Sequence, residues 1–105
     1  MEDAAVTPQD ILREAATIFE ERHKVYGDNY KKVGTVMAAL FPDGLDLKTA
    51  DDHNRFHILM LDVVKLTRYA ENWHKGGHRD SLLDKAVYNT MLASIDQEIN
   101  DRESD

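Results

Sequence analysis

Phe56-His57-Ile58-Leu59-Met60-Leu61-Asp62-Val63-Val64-Lys65-Leu66 decides how the rest of the chain is read. Eight of these eleven residues are apolar, and at helical spacing they fall on every side of the wheel. A helix that is apolar all round has to be covered by other elements. The run is too short and too charged to cross a bilayer, which asks for about 20 apolar residues. It predicts the central helix of a small domain. Asp62 and Lys65 lie inside it, and Arg68 follows one turn later on the same side. Charges beside a buried helix are costly unless something pairs with them. That polar strip is the first place to look for function.

Outward from this helix, the chain is punctuated by helix starts and stops. Thr7-Pro8 offers an N-cap hydroxyl followed by proline at the first helical position. Ile11, Leu12, Ala15, Ile18, Phe19, Arg22, Val25 and Tyr26 keep helical spacing up to Gly27, a left-handed stop, so a helix is predicted over 8–26. Asp28 or Asn29 can cap a second helix, which Pro42-Asp43-Gly44 ends. Thr49 caps the central helix, extended to about Trp73, and His74-Lys75-Gly76-Gly77-His78 forms a glycine-rich loop. Asp80 or Ser81 caps a fourth helix carrying Leu83, Val87, Met91 and Ile95, and the charged tail from Asn100 to Asp105 is expected to fray. Four helices with short links and no strand pattern give an all-α, four-helix bundle-like domain over 1–105, with its core at about 8–97. A chain of 105 residues has little left to cover an all-round apolar helix, so completion by homo-oligomerisation, as a dimer or tetramer, is expected.

Charge narrows the function classes. Lys and Arg number 13 against 20 Asp and Glu, a formal net charge of -7. Such an excess repels a nucleic-acid polymer but leaves room for a small anion in a local cationic pocket. The chain has no cysteine, which fits a reducing cytoplasm, and Met1–Val6 lacks the basic start and apolar core of a signal peptide. Neither a membrane partner nor secretion is expected.

Several residues could carry chemistry. Asp84, Tyr88, Met91 and Ile95 share one line of the fourth helix, and Asp80 projects from one turn earlier. Capping explains Asp80 as well as ligation does. Asp84 can pair with Lys65 or Arg68, or it can hold magnesium or a ligand hydroxyl. Lys65 and Arg68 are neighbours on the helix surface, suited either to phosphate or to ion pairs with Asp62 and Glu71. His53 and His57 have the i, i+4 spacing of a helical zinc site, but no glutamate follows His53 as the metalloprotease motif requires.

Three segments together carry a resemblance. Ile18-Phe19-Glu20-Glu21-Arg22-His23-Lys24-Val25-Tyr26-Gly27-Asp28 opens it, Met60-Leu61-Asp62-Val63-Val64-Lys65-Leu66-Thr67-Arg68 follows, and Asp80-Ser81-Leu82-Leu83-Asp84-Lys85-Ala86-Val87-Tyr88 closes it. In this order, across about residues 10 to 96, they resemble phage-encoded MazG-like, or nucleotide-modification-associated, domains. Those are related to the all-α nucleoside triphosphate pyrophosphohydrolases. The resemblance implies a helical, commonly oligomeric protein with a nucleotide pocket between helices. It implies Arg22, Lys24, Tyr26, Lys65, Arg68 and Tyr88 as nucleotide-binding residues. Magnesium would be held by Glu21, Asp62, Asp80 and Asp84, with Asp80 and Asp84 also catalytic. The Glu-x-x-Glu of the hydrolases has no counterpart here, because Lys24 follows Glu21 and Lys65 follows Asp62 at that spacing. On the resemblance, a magnesium-dependent hydrolase of a modified nucleoside triphosphate is the first expectation. A non-catalytic sponge for a nucleotide immune signal, needing no cofactor and acting against host defence, is the second. A helical adaptor whose charged strip is merely structural is the third. Each would work in the cytoplasm of the host.

Overall fold

The computed structural model describes residues 5–104, and these are all-α, with four helices and no strand. Helix α1 spans Pro8–Tyr26, α2 Asn29–Leu40, α3 Ala50–Glu71 and α4 Arg79–Ser104, with a short 3-10 turn at Trp73–Lys75. No helix is long and apolar enough to cross a membrane among the described residues.

Two helices start on reciprocal caps. The Thr7 hydroxyl accepts the Asp10 N–H at 3.2 Å while the Asp10 carboxylate accepts the Thr7 N–H at 3.0 Å. Thr49 and Asp52 repeat the exchange at 3.1 Å in both directions, opening α3. Each exchange satisfies two backbone donors that a helix start leaves unpaired. The Thr7 N–H bond to Asp10, and at Asp52 the N–H bonds of Lys48 (3.1 Å) and Thr49, hold these carboxyls below the ordinary aspartate range.

α3 and α4 run antiparallel, tied along their length by ion pairs whose numbering ascends on one helix as it descends on the other. Lys65 Nζ lies 2.9 Å from Asp84, Arg55 Nε lies 3.0 Å from Asp96, and Asp51 binds Arg102. α2 packs against α3 as well. Val63 on α3 is the buried hydrophobic residue at the centre, flanked by buried Asp62 and Thr67.

Several expectations change here. α3 is not covered all round, since Leu66 is nearly half exposed. Leu83, Val87 and Met91, the apolar residues that α4 carries, are also about half exposed. α4 begins at Arg79, so neither Asp80 nor Ser81 caps it: the Ser81 N–H bonds back to the His78 carbonyl at 3.2 Å, making His78 the flanking residue. Rather than fraying at Asn100, α4 continues to Ser104, because Arg102 reaches Asp51 on α3 and Gln97 donates to Asp101 at 2.8 Å. Asp105 lies outside the described residues.

The largest difference is α1. It buries no residue, and Ile11, Leu12, Ile18 and Phe19 stand exposed along one face. The molecule measures 67 × 41 × 27 Å with a radius of gyration of 18.7 Å. A compact domain of this length would have about 13 Å. The four helices do not close into a bundle within one chain.

Candidate functional site

The turn between α1 and α2 builds the site. Gly27 has φ 57° and ψ -141°, a positive-φ extended conformation and not the left-handed helical one its sequence position suggests. Only glycine adopts it readily. A Cβ there would also collide with the Glu71 carboxylate. Glu71 is held in place by Lys32, 2.5 Å away, whose charge and hydrogen bond keep its carboxyl below the usual glutamate range. The chain thus reverses tightly over the end of α3, and a cleft of about 440 Å³ opens between α1, α2 and α3.

Cations and rings face this cleft. Arg22, Tyr26 and His23 come from α1, Asn29 and Tyr30 from the start of α2, and Arg68 from α3. The Arg68 guanidinium lies over the Tyr26 ring at 4.5 Å from its centroid. Such stacking holds the guanidinium plane fixed while leaving its edge able to donate. Arg68 Nε and Asn29 Oδ1 are both buried without a hydrogen-bond partner. Groups of this kind cost free energy when unsatisfied and call for an explanation. Neither arginine forms an ion pair among the described residues. Phe19 stacks on His23 at 5.4 Å and meets Tyr30 edge-on at 6.1 Å, so the outer wall is aromatic. The inner wall is braced by His78, edge-on to Tyr26 at 5.7 Å, with its Nδ1 2.5 Å from the buried Ser81 hydroxyl.

Arg22, Tyr26 and Arg68, singled out from sequence, meet in this cleft. Lys65 does not; it is mostly buried and bound to Asp84, the ion-pair alternative weighed above. Lys24 and Glu21 are exposed on α1, and Tyr88 is half-buried on α4; none of them lines the cleft. Asp80 is exposed in the first turn of α4. Asp62 is buried with Oδ1 unpaired, and burial raises its carboxyl above the ordinary range, against a smaller opposing pull from Lys85.

No group of three or more His, Cys, Asp or Glu side chains among the described residues is placed to hold a metal ion. Asn29, His23, Phe19 and Tyr30 escaped the sequence reading of the site. The signal that could have found them is the Tyr26-Gly27-Asp28-Asn29-Tyr30 turn itself, where a forced reversal brings two helix ends together.

A second hollow of about 250 Å³ lies beneath the 41–49 connection, against Phe56, Leu59 and Leu92. Its charges are already engaged, Arg55 with Asp96 and Asp52 with the α3 cap. It offers an anion nothing. Compared with family models, with curated proteins and with solved structures, the chain matches none.

Proposed function

We propose that this protein binds a small anionic nucleotide in the α1–α2–α3 cleft, as a MazG-like nucleotide-binding protein acting in the host cytoplasm as a homo-oligomer. The observation that carries the reading is Arg68, stacked on Tyr26 beside Arg22 with its Nε buried and unpartnered. Two guanidiniums provide planar forks that match phosphate oxygens. The exposed faces of Phe19 and Tyr30 can stack a base, and Asn29 Oδ1 can accept from an exocyclic amine. The net charge of -7 repels anions at long range, so affinity has to come from these local contacts.

We place binding without turnover ahead of hydrolysis because Lys65 already pairs with Asp84, the acid that the hydrolase reading needs for a metal. A sponge that sequesters a nucleotide signal, in the service of a phage against its host, needs nothing beyond the cleft. One observation favours magnesium-dependent pyrophosphohydrolysis as a second reading: the unpartnered Asp62 oxygen, on the helix next to Asp84. A panel of nucleoside triphosphates and cyclic dinucleotides, with and without magnesium, tests the choice by calorimetry and chromatography. Tight binding of an intact nucleotide that survives chelation is the expected result. Magnesium-dependent release of a monophosphate and pyrophosphate, abolished by Asp84→Asn, would replace it with the hydrolase.

A further inference from the structure

The Arg68 guanidinium is ordered by one contact, the face of the Tyr26 ring. It forms no ion pair among the described residues, and its Nε has no hydrogen-bond partner. A long side chain so lightly held loses rotamer freedom when it grips a ligand, and that loss weakens binding. Whatever fixes the Tyr26 ring therefore bears on affinity.

The ring is fixed by His78, which meets it edge-on at 5.7 Å and 90°. His78 is held in turn by Ser81, whose hydroxyl lies 2.5 Å from Nδ1. Ser81 is 1% exposed, the most buried side chain among the described residues. A hydroxyl at such a position is costly unless it is used. Starting α4 explains only part of this pair. Any residue at position 78 could accept the Ser81 N–H on its carbonyl, whereas the contact with the Ser81 hydroxyl needs the imidazole.

The segment that presents His78 is also tied back to the turn of α3 that carries Arg68. The buried Asn72 side-chain amide donates to the Arg68 carbonyl at 2.8 Å. The Asn72 carbonyl accepts the Gly77 N–H, again at 2.8 Å. Gly77 has φ 79°, and a Cβ there would stand 3.2 Å from the Tyr69 ring, so the backbone is closely fitted at this point. The contacts close a loop, running from the Arg68 carbonyl through Asn72, Gly77, His78 and Tyr26 to the Arg68 guanidinium. Satisfied polar networks of this kind rigidify the groups they join.

We infer that His78, anchored by Ser81, is a positioning residue of the anion site: it fixes Tyr26 and so holds the Arg68 guanidinium ready. His78 does not itself line the cleft. Its effect on affinity rests on the nucleotide-binding reading above; its ordering of Arg68 does not.

The Arg68 Nε–H proton reports the arrangement without a ligand. The guanidinium lies over the Tyr26 face, where ring current shifts proton NMR signals upfield, and burial of Nε protects its proton from exchange. Arg68→Lys identifies the signal by its loss, and Tyr26→Leu gives its position without the ring. His78→Asn keeps an acceptor for the Ser81 hydroxyl and removes the imidazole, while Ser81→Ala removes the hydroxyl and keeps the imidazole. In both variants the signal is expected to move most of the way to its Tyr26→Leu position. Affinity for ATP and for cyclic di-AMP, measured by calorimetry, is expected to fall roughly two- to thirtyfold, the span of effects transmitted through packed networks. Melting curves identify the folded variants. A wild-type signal position in folded His78→Asn overturns the positioning role, and Ser81→Ala decides in the same way if His78→Asn does not fold. A shifted signal with unchanged affinity overturns the link to binding. If the wild type binds neither nucleotide, the ligand reading falls and the signal alone decides whether His78 orders Arg68.

Discussion

The α3–α4 pair and α1 are both amphipathic helical segments, and they end in opposite conditions. α3 and α4 are fastened by three cross-helix ion pairs, and their acids are largely engaged. α1 is capped at its start and turned tightly at its end, yet buries none of its apolar face. Amphipathic spacing announces that a face will be covered, and it does not announce by what. The chemistry divides in the same way. On the α3–α4 side the charges neutralise one another, whereas at the α1–α2 junction two arginines remain without carboxylate partners among the described residues.

Substitutions on the two sides should therefore behave differently. Arg68→Ala is expected to weaken nucleotide binding by roughly 1.5 to 3 kcal/mol, the range for hydrogen bonds to charged groups. Calorimetry checks the loss, with a melting curve to show that the fold survives. An unchanged affinity would mean that the cleft is not the site.

Gly27→Ala comes next. It forces a side chain into a positive φ and against the Glu71 carboxylate, which should cost about 1 to 3 kcal/mol in urea unfolding. An unaltered midpoint would show that the junction relaxes freely.

Lys65→Met, which keeps the buried stem and removes the charge, should change stability by less than about 1 kcal/mol, since Asp84 is half exposed and rehydrates, and it should leave binding untouched. A loss of binding in this variant would move the phosphate site to the α3–α4 strip.

The smallest effect is one of pH. Burial raises the Asp62 carboxyl, so the folded state holds that proton more firmly than the unfolded chain does. The associated stability is complete below the unfolded pKa, about 3.9, and is lost as pH rises through the folded value. Asp62→Asn removes this loss. Its melting temperature relative to wild type should climb between about pH 4 and pH 7, and a constant offset would place Asp62 in contact with water.

The sequence carried local information well and distant information poorly. The bounds of α1 were legible because Thr7-Pro8 and Gly27 act on their own neighbours. The start of α4 is a local exception: Asp80 and Ser81 both satisfy capping rules, but His78 takes the flanking position, through its carbonyl and its ring contact with Ser81 three residues on. Asp84 and Lys65 were recognised as residues that could pair, but their union needed the antiparallel register of α3 and α4. At the site, Arg22, Tyr26 and Arg68 drew attention by chemistry. Asn29 and Tyr30 did not, since only the reversal at Gly27 turns a helix start into the wall of a cleft. The half-exposed Leu83, Val87 and Met91 mark the limit of periodicity, which cannot separate a face buried within the chain from one left for a partner.

The central claim is that the ligand sits at the α1–α2–α3 junction and not among the α3–α4 acids. Amide chemical shifts followed by NMR during titration with the tightest-binding nucleotide of the panel test it most directly. The largest changes are expected on Arg22, Asn29, Tyr30 and Arg68, with Asp80 and Asp84 little affected. Changes centred on Asp62, Asp80 and Asp84, with the Gly27 turn silent, would contradict it.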